Sequence, residues 1–301
     1  MQAPSASHSP IAALFAAFAG VGFLSLMDAF MKDAALEAGA YTATVLRSLA
    51  ATAIIAPIWL VRRPKWPSRP VMKLHLERGI ISAFMALSFF FALTKLPLAE
   101  AIALSFVAPL LALYLARILL GEEIKRAAVF ASLLGFAGTL VIIGGRMGDG
   151  SFDEDAALGM TSLLFSALLY AYNFVVIRRQ SQVAGPLEIA TFHSGIGGLV
   201  LLLFAPFLWI SPPTAIASDI AAAGLLTVLG AMAIAWAYAR AEAQALVPIE
   251  YSGFAWASIF GWLFFGESVT LTTLAGTALI VSGCWIVARA SSAKQPQTEP
   301  A

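Results

Sequence analysis

The chain has 301 residues, 60% hydrophobic and 12% charged, with a net charge of +1 and a mean hydropathy of +0.86. A water-soluble domain carries about a quarter charged residues, so these values exclude a soluble globular protein and leave a polytopic membrane protein with no electrostatic footprint for nucleic acid. The single cysteine, Cys284, excludes a disulfide framework and a thiolate metal centre.

Crossing the hydrocarbon core takes about 20 mostly apolar residues. Ten runs qualify: 11–31, 40–61, 77–96, 98–120, 126–145, 157–177, 187–209, 219–239, 244–265 and 270–288. They are continuous, unlike the period-two alternation of an outer-membrane barrel. The first ten residues are polar and lack a basic segment, so the first run is expected to be a retained helix rather than a cleaved signal. Short linkers such as Arg63-Pro64 and Ser211-Pro212-Pro213 punctuate the rest.

Lys and Arg distribution sets orientation. With the N-terminus in the cytoplasm, the cytoplasmic side holds Arg62, Arg63, Lys65, Arg69, Lys73, Arg78, Lys125, Arg126, Arg178, Arg179, Arg240, Arg289 and Lys294. The outer side holds Lys32, Lys95 and Arg146. The expected protein is an all-α, multi-pass protein of a bacterial-type inner membrane, with both termini cytoplasmic.

The segment Leu98–Glu122 has a blurred second copy at Ala243–Glu267. The offset of 145 residues pairs Ala112 with Ala257, Gly121 with Gly266, Glu122 with Glu267, Gly138 with Gly283 and Asp28 with Asn173. This predicts two five-helix repeats, 11–145 and 157–288, joined by an outward loop at 146–156 and flanked by tails at 1–10 and 289–301. Five spans per repeat is an odd number, so the second repeat inserts upside down relative to the first. Such an inverted repeat suits a carrier that rocks between two nearly equivalent packings around a mid-membrane site.

Several features together resemble the drug/metabolite transporter superfamily, EamA type: the two repeats, Arg47 inside the second run, and the segment Ala92–Pro109 leading to Leu119-Leu120-Gly121-Glu122. The twin ends Phe264-Phe265-Gly266-Glu267 and is followed by Gly276 and Gly283. In two places the chain departs from the family pattern: Phe18-Ala19 precedes Gly20 where a tryptophan is common, and Phe254 stands where a proline is expected, with Pro248 earlier. The resemblance implies a ten-helix inner-membrane carrier of small organic metabolites, with amino acids and heteroaromatic cofactors or vitamins such as riboflavin or S-adenosylmethionine among the family's substrates.

An intramembrane charge needs a partner or a watery cavity. Arg47, Asp28 and Glu100 fall at similar depths below the outer face and are expected to form a gate or to hold a polar end of the substrate; the alternative pairs Asp28 with Lys32, one helical turn on. The inverted repeat predicts an inner counterpart of Asn173, His193 and Glu250. His193 and Glu250 are candidates for proton coupling. Among the aromatic residues, Trp236, Tyr251 and Trp256 are candidates to line a cavity. Gly121-Glu122 and Gly266-Glu267 read as helix ends whose carboxylates stay in water or cap the next helix.

The glycine-rich loop Gly144–Gly150 lacks the Lys-Ser/Thr of a phosphate-binding loop. Asp149, Asp153 and Asp155 alternate without the glycine and glutamate of a calcium loop, so neither a metal nor a cofactor is expected. His8, His75 and His193 lie in three different regions, which argues against a membrane-embedded enzyme. The lack of a carbonyl filter motif argues against a channel. The expected function is secondary transport of a small organic metabolite by alternating access, with proton coupling open and drug efflux on the same fold as the alternative. The expected partners are a small-molecule substrate and the lipid bilayer. The glycine-rich fifth and tenth runs offer a face either for a homodimer or for internal packing.

Overall fold

The computed structural model describes residues 10–62, 65–120, 126–148, 152–180, 182–238, 240, 246 and 249–292. Among these residues all regular elements are helices: α1 Pro10–Ala38, α2 Ala40–Val61, α3 Arg69–Leu93, α4 Leu98–Ser105, α5 Ala108–Leu120, α6 Arg126–Gly148, α7 Glu154–Gln180, α8 Pro186–Leu202, α9 Ala205–Leu208, α10 Ile216–Tyr238, α11 Ser252–Phe265 and α12 Leu271–Ser292. Among the described residues, six stretches are long and apolar enough to cross a membrane: Ile11–Ala38, Ala40–Val61, Arg69–Leu93, Leu98–Leu119, Glu154–Ile177 and Ile216–Ile234. Four shorter apolar helices are Ser132–Gly148, Pro186–Leu202, Ser252–Phe265 and Leu271–Gly283.

The surface is apolar where a soluble protein would be polar. Phe207 and Leu271 are more than four-fifths exposed, and Phe15, Phe136 and Trp262 also point outward. Hydrocarbon offers no hydrogen bonds, so backbone polar groups are satisfied within helices and their ends.

The helix ends follow from local chemistry. Gly39 alone joins α1 to α2, with φ of 79°, a conformation that favours glycine. The expected span 98–120 is instead two helices, α4 and α5, with a turn at Phe106-Val107. Pro109 has no N–H to donate and suits the first turn of a new helix rather than the interior of an old one. The expected run 187–209 also breaks: α8 stops at Leu202, where the Tyr41 hydroxyl donates to the carbonyl of Leu201. The third run starts earlier than expected, at Arg69, which draws His75 into the same helix as Arg78.

Antiparallel α3 and α7 are joined along their length. Ser162 and Ser166 donate to the carbonyls of Ser88 (2.9 Å) and Met85 (2.8 Å). Where α3 ends and α7 begins, Lys95 pairs with Asp155 at 2.8 Å. Asp153 caps α7 by accepting from the Ala156 N–H at 2.8 Å. The acidic alternation of the loop is thus used in capping and ion pairing, with Asp149 lying outside the described residues.

Helices α6 and α12 meet through glycine. A Cβ on Gly138 would collide with the carbonyl oxygen of Gly276, and one on Gly276 would stand 2.6 Å from that of Gly138. Of the two uses open to the glycines of the fifth and tenth runs, Gly138 and Gly276 serve internal packing, where only glycine allows the backbones this close.

One lock ties the two ends of the chain together. Helix α11 ends on Gly266 with φ of 64°. The Gly266 and Glu267 N–H groups donate back to the carbonyls of Trp262 (3.0 Å) and Gly261 (3.1 Å). This turn aims the Glu267 carboxylate inward. One oxygen accepts from the Leu98 N–H at 2.7 Å, capping α4. The other binds the Lys32 ammonium, which also donates to the Leu96 carbonyl at 2.7 Å and lies 5.0 Å from the Phe265 ring centre. Glu267 therefore neither stays in water nor caps the next helix: it caps a helix 169 residues earlier in the chain. Its counterpart Glu122 lies outside the described residues.

Two measurements test this packing. Gly138→Val should cost about 1–3 kcal/mol by overpacking and lower the thermal midpoint in detergent. Gly148→Ala, where an added Cβ meets nothing within 4 Å, should leave it unchanged. Glu267→Ala strands the Lys32 charge and should cost about 3–5 kcal/mol. Adding Lys32→Met should recover part of that loss, read as a double-mutant cycle on the same midpoint.

Candidate functional site

Helices α2, α3, α8 and α10 enclose a cavity lined by Arg47, Ser48, Ala51, Ser82, Ala83, Ala86, His193, Ser194, Gly197 and Thr227, with about 50 Å³ open to water-sized molecules. Small residues make room for it: Gly79 of α3 lies so close to α8 that a Cβ there would be 2.5 Å from the Ile196 side chain. The 145-residue offset pairs Ser48 with His193 and Ser82 with Thr227, and all four line this cavity. Four of the ten lining residues are thus matched in two pairs by the offset.

Two nitrogens in the wall stand out. Arg47 Nε and His193 Nδ1 are buried and have no hydrogen-bond partner among the described residues. Arg47 lies deep among protein atoms, with its guanidinium 5.2 Å from the Phe90 ring centre and Asp28 within electrostatic reach. His193 lies within reach of the charges of Arg47 and Arg78. The hydroxyls around them are already committed as donors: Ser48 to the Thr44 carbonyl at 2.8 Å, Thr227 to that of Ala223 at 2.7 Å and Ser82 to Asn173 Oδ1 at 3.5 Å. Their oxygens remain available as acceptors.

A second polar cluster fills the opposite end of the bundle from the Lys32 lock. Arg78 of α3 donates from Nε to Asn173 Oδ1 and from Nη1 to Gln180 Oε1, both at 3.1 Å. Since Gln180 Oε1 accepts from Arg78, its amide nitrogen faces His75 Nδ1 at 2.6 Å. That leaves the His75 proton on Nε2, where it is donated to Glu188 Oε1 at 2.9 Å. His75 and Gln180 are fully buried, and His75 stacks on Phe192 with ring centres 4.6 Å apart. Both Arg78 and His75 thus lie inside the protein, although Arg78 is expected from the sequence among the loop charges.

The expected outer trio divides. Arg47 and Asp28 face each other electrostatically, whereas Glu100 pairs with Arg146 at 3.3 Å. The alternative pairing of Asp28 with Lys32 does not form, because Lys32 is taken by Glu267. The expected inner trio divides as well. Asn173 holds Arg78, His193 joins Arg47 in the cavity, and Glu250 lies within electrostatic reach of Tyr170. Depth along a helix could not foresee that Arg47 and His193 share one wall.

The aromatic candidates lie elsewhere. Trp236 stacks under Arg240 with the guanidinium 4.1 Å from its ring centre. Tyr251 meets Phe106 edge-on at 5.3 Å, and Trp256 packs between Phe18 (5.0 Å) and Phe260 (5.6 Å). None of the three lines the cavity. Pro248 lies outside the described residues. The residues that sequence reading did not assign to a site are Lys32, His75, Arg78, Gln180 and Glu188, and the signal for Arg78 was its position inside the expected third run, 77–96.

Comparison with known proteins agrees with this architecture. A solved crystal structure superposes on 95% of this chain and 100% of its own, with a TM-score of 0.62 at 21% identity, which speaks to fold alone. The pseudopaline exporter CntI of Pseudomonas aeruginosa is 28% identical over 271 residues, covering 88% of this chain and 92% of that protein. A riboflavin transporter of Rhizobium johnstonii is 29% identical over 223 residues, 71% of this chain and 70% of that one. The aromatic amino acid exporter YddG of Ancylobacter novellus is 30% identical over 154 residues, half of each chain. The EamA-like transporter model matches twice, at residues 11–144 and 157–289, so that nearly the whole helical body, cavity included, is accounted for and the chain belongs to the EamA-like transporter family.

Proposed function

We propose that this protein is a secondary transporter of the bacterial inner membrane that moves a small organic metabolite through the Arg47–His193 cavity by alternating access. The observation that carries the reading is the lining itself. Between α2 and α3 on one side and α8 and α10 on the other lies a polar cavity in which Arg47 Nε and His193 Nδ1 have no partner among the described residues, and two pairs of its lining residues, Ser48 with His193 and Ser82 with Thr227, are matched by the 145-residue offset. A site on the internal symmetry axis is what a rocking carrier needs, because each half can then close over it in turn.

The finer architecture belongs to the same proposal. Ten spans in two inverted repeats, 11–145 and 157–288, are supported by the two family matches and by the six long and four shorter apolar helices. Cytoplasmic termini are supported by the Lys and Arg distribution. The two polar ends of the bundle are the natural gates: the Lys32–Glu267 lock outside and the Arg78–Asn173–Gln180–His75–Glu188 cluster inside. Each would have to part when its side opens. Export is the direction favoured by two named exporters among the relatives.

The test is accessibility coupled to flux. In a Cys284→Ser background, Thr227→Cys should react with a membrane-impermeant thiol reagent from either face of proteoliposomes, and transported solute should slow the reaction. Bridging Lys32→Cys and Glu267→Cys with a bifunctional reagent should abolish saturable counterflow while leaving reaction from the cytoplasmic face. Unchanged counterflow after bridging would refute alternating access through this lock.

A further inference from the structure

The cluster read above as the inner gate is a chain of hydrogen bonds with a direction, and the direction depends on one proton. Glu188, whose side chain is one-fifth exposed, accepts from His75 Nε2, and His75 Nδ1 accepts from the Gln180 amide nitrogen. Gln180 Oε1 accepts from Arg78 Nη1, and Asn173 Oδ1 accepts from Arg78 Nε and from Ser82 of the cavity wall. With a neutral His75, every donor in this chain meets an acceptor. The chain also joins α3, which carries His75, Arg78 and Ser82, to α7 and α8, which carry Asn173, Gln180 and Glu188. The other charges around it have partners or face outward. On α3, Glu77 accepts from the Tyr172 hydroxyl at 2.6 Å and Lys73 is exposed. On α7, Arg179 donates to the Leu119 carbonyl at 3.4 Å. On the α2 side Trp59 meets Phe192, and Arg62 beyond it is exposed. Glu250 acts on Tyr170, which reaches Arg78.

We propose that His75 couples the inner gate to cytoplasmic pH: a proton on its Nδ1 turns the Gln180 amide over and detaches Arg78 from the end of α7. The proton comes from cytoplasmic water and adds to Nδ1, the one ring nitrogen with a free lone pair. Protonated or not, the ring keeps its bond from Nε2 to Glu188 at 2.9 Å and its stack on Phe192 at 4.6 Å. Only Gln180 distinguishes the two states. A protonated Nδ1 faces the Gln180 amide nitrogen at 2.6 Å, donor against donor. Half a turn of the amide restores an acceptor there and sets its nitrogen against Arg78 Nη1, again donor against donor. A guanidinium does not give up a proton to relieve this, so Arg78 keeps Asn173 and loses Gln180. Gln180 is the last residue of α7, and its carbonyl accepts from the Val183 (3.1 Å) and Ala184 (3.0 Å) N–H groups, so the turn into α8 is released with it. The Arg78 charge also reaches His193, which carries the change to the cavity. This inference rests on the carrier reading given above, in which the cluster is a gate.

The test uses the full chain in proteoliposomes, in the Cys284→Ser background, with spin labels on Lys73→Cys of α3 and Val183→Cys after α7, both exposed positions. Their separation is read by pulsed electron resonance between about pH 8 and about pH 5, the range in which an imidazole titrates. As pH falls, a second, longer separation should appear, with the ratio of the two populations changing about tenfold for the loss of one hydrogen bond to a charged group. Nitrogen-15 shifts of His75, assigned by their absence in His75→Gln, should show the second ring proton with the same midpoint. His75→Gln should abolish the pH response. Gln180→Glu should abolish it in the tied form, because a carboxylate accepts from a protonated His75 and from Arg78 together. Should His75→Gln fail to fold, Gln180→Glu and the coincidence of midpoints in the unaltered cluster decide. A His75 that stays neutral throughout, a separation that ignores its proton, or a pH response that survives in Gln180→Glu would overturn the assignment. Thr227→Cys that reacts from both faces beside a separation insensitive to pH would overturn the His75 switch and leave the carrier standing. Thr227→Cys that reacts from neither face at any pH would count against both.

Discussion

A positive charge inside a bilayer protein has to be answered from within, because there is no water to answer it. The chain meets that demand in three ways, and its architecture follows from them. Lys32 is answered by a full ion pair and a backbone carbonyl. Arg78 is answered by neutral amide oxygens, themselves fixed by His75 and Glu188. Arg47 receives only a ring face and a distant carboxylate. The first two arrangements are complete and hold helices together. The third is incomplete, and incompleteness beside an open volume is what separates a binding wall from a structural tie.

The same demand explains how a protein with so few polar residues can be both firm and divisible. The hydrogen bonds from α7 serines to α3 carbonyls and the glycine contact of α6 with α12 are short-range and saturated. The charged contacts at the two ends of the bundle are different in kind. Each rests on a few directional side-chain bonds, so each can be broken as a unit. Membership of the EamA-like family puts these contacts in a transporter, where such discrete ties are useful at the ends and packing is useful in between.

Much of the architecture could be read from the residues, and the failures have physical causes. Apolar runs located the helices because the hydrocarbon core dictates length and composition. They misjudged the start of α3, which lay hidden because Arg69, Lys73 and His75 look like loop residues until Gln180 and Glu188 are beside His75. Arg47 was legible as an isolated charge in an apolar run, and Asp28 as its neighbour in depth. Glu100 was legible only as a charge, since its partner Arg146 stands 46 residues on. That His193 joins Arg47 was not legible from depth estimates, although the offset that pairs Ser48 with His193 contained it. Trp236, Tyr251 and Trp256 were chosen by type, and aromatic type does not distinguish a cavity wall from helix packing.

Helix α4 begins at Leu98, yet its cap is a side chain at position 267. During synthesis the ribosome delivers α4 long before it delivers that carboxylate. Until then the Leu98 N–H and the ammonium of Lys32 must be satisfied by water or lipid headgroups. The first half of the chain therefore waits in a provisional state for the last quarter to arrive. A nascent chain that stops short of residue 267 presents an uncapped helix and an unmatched cation together, a combined defect by which quality control could tell an unfinished molecule from a finished one.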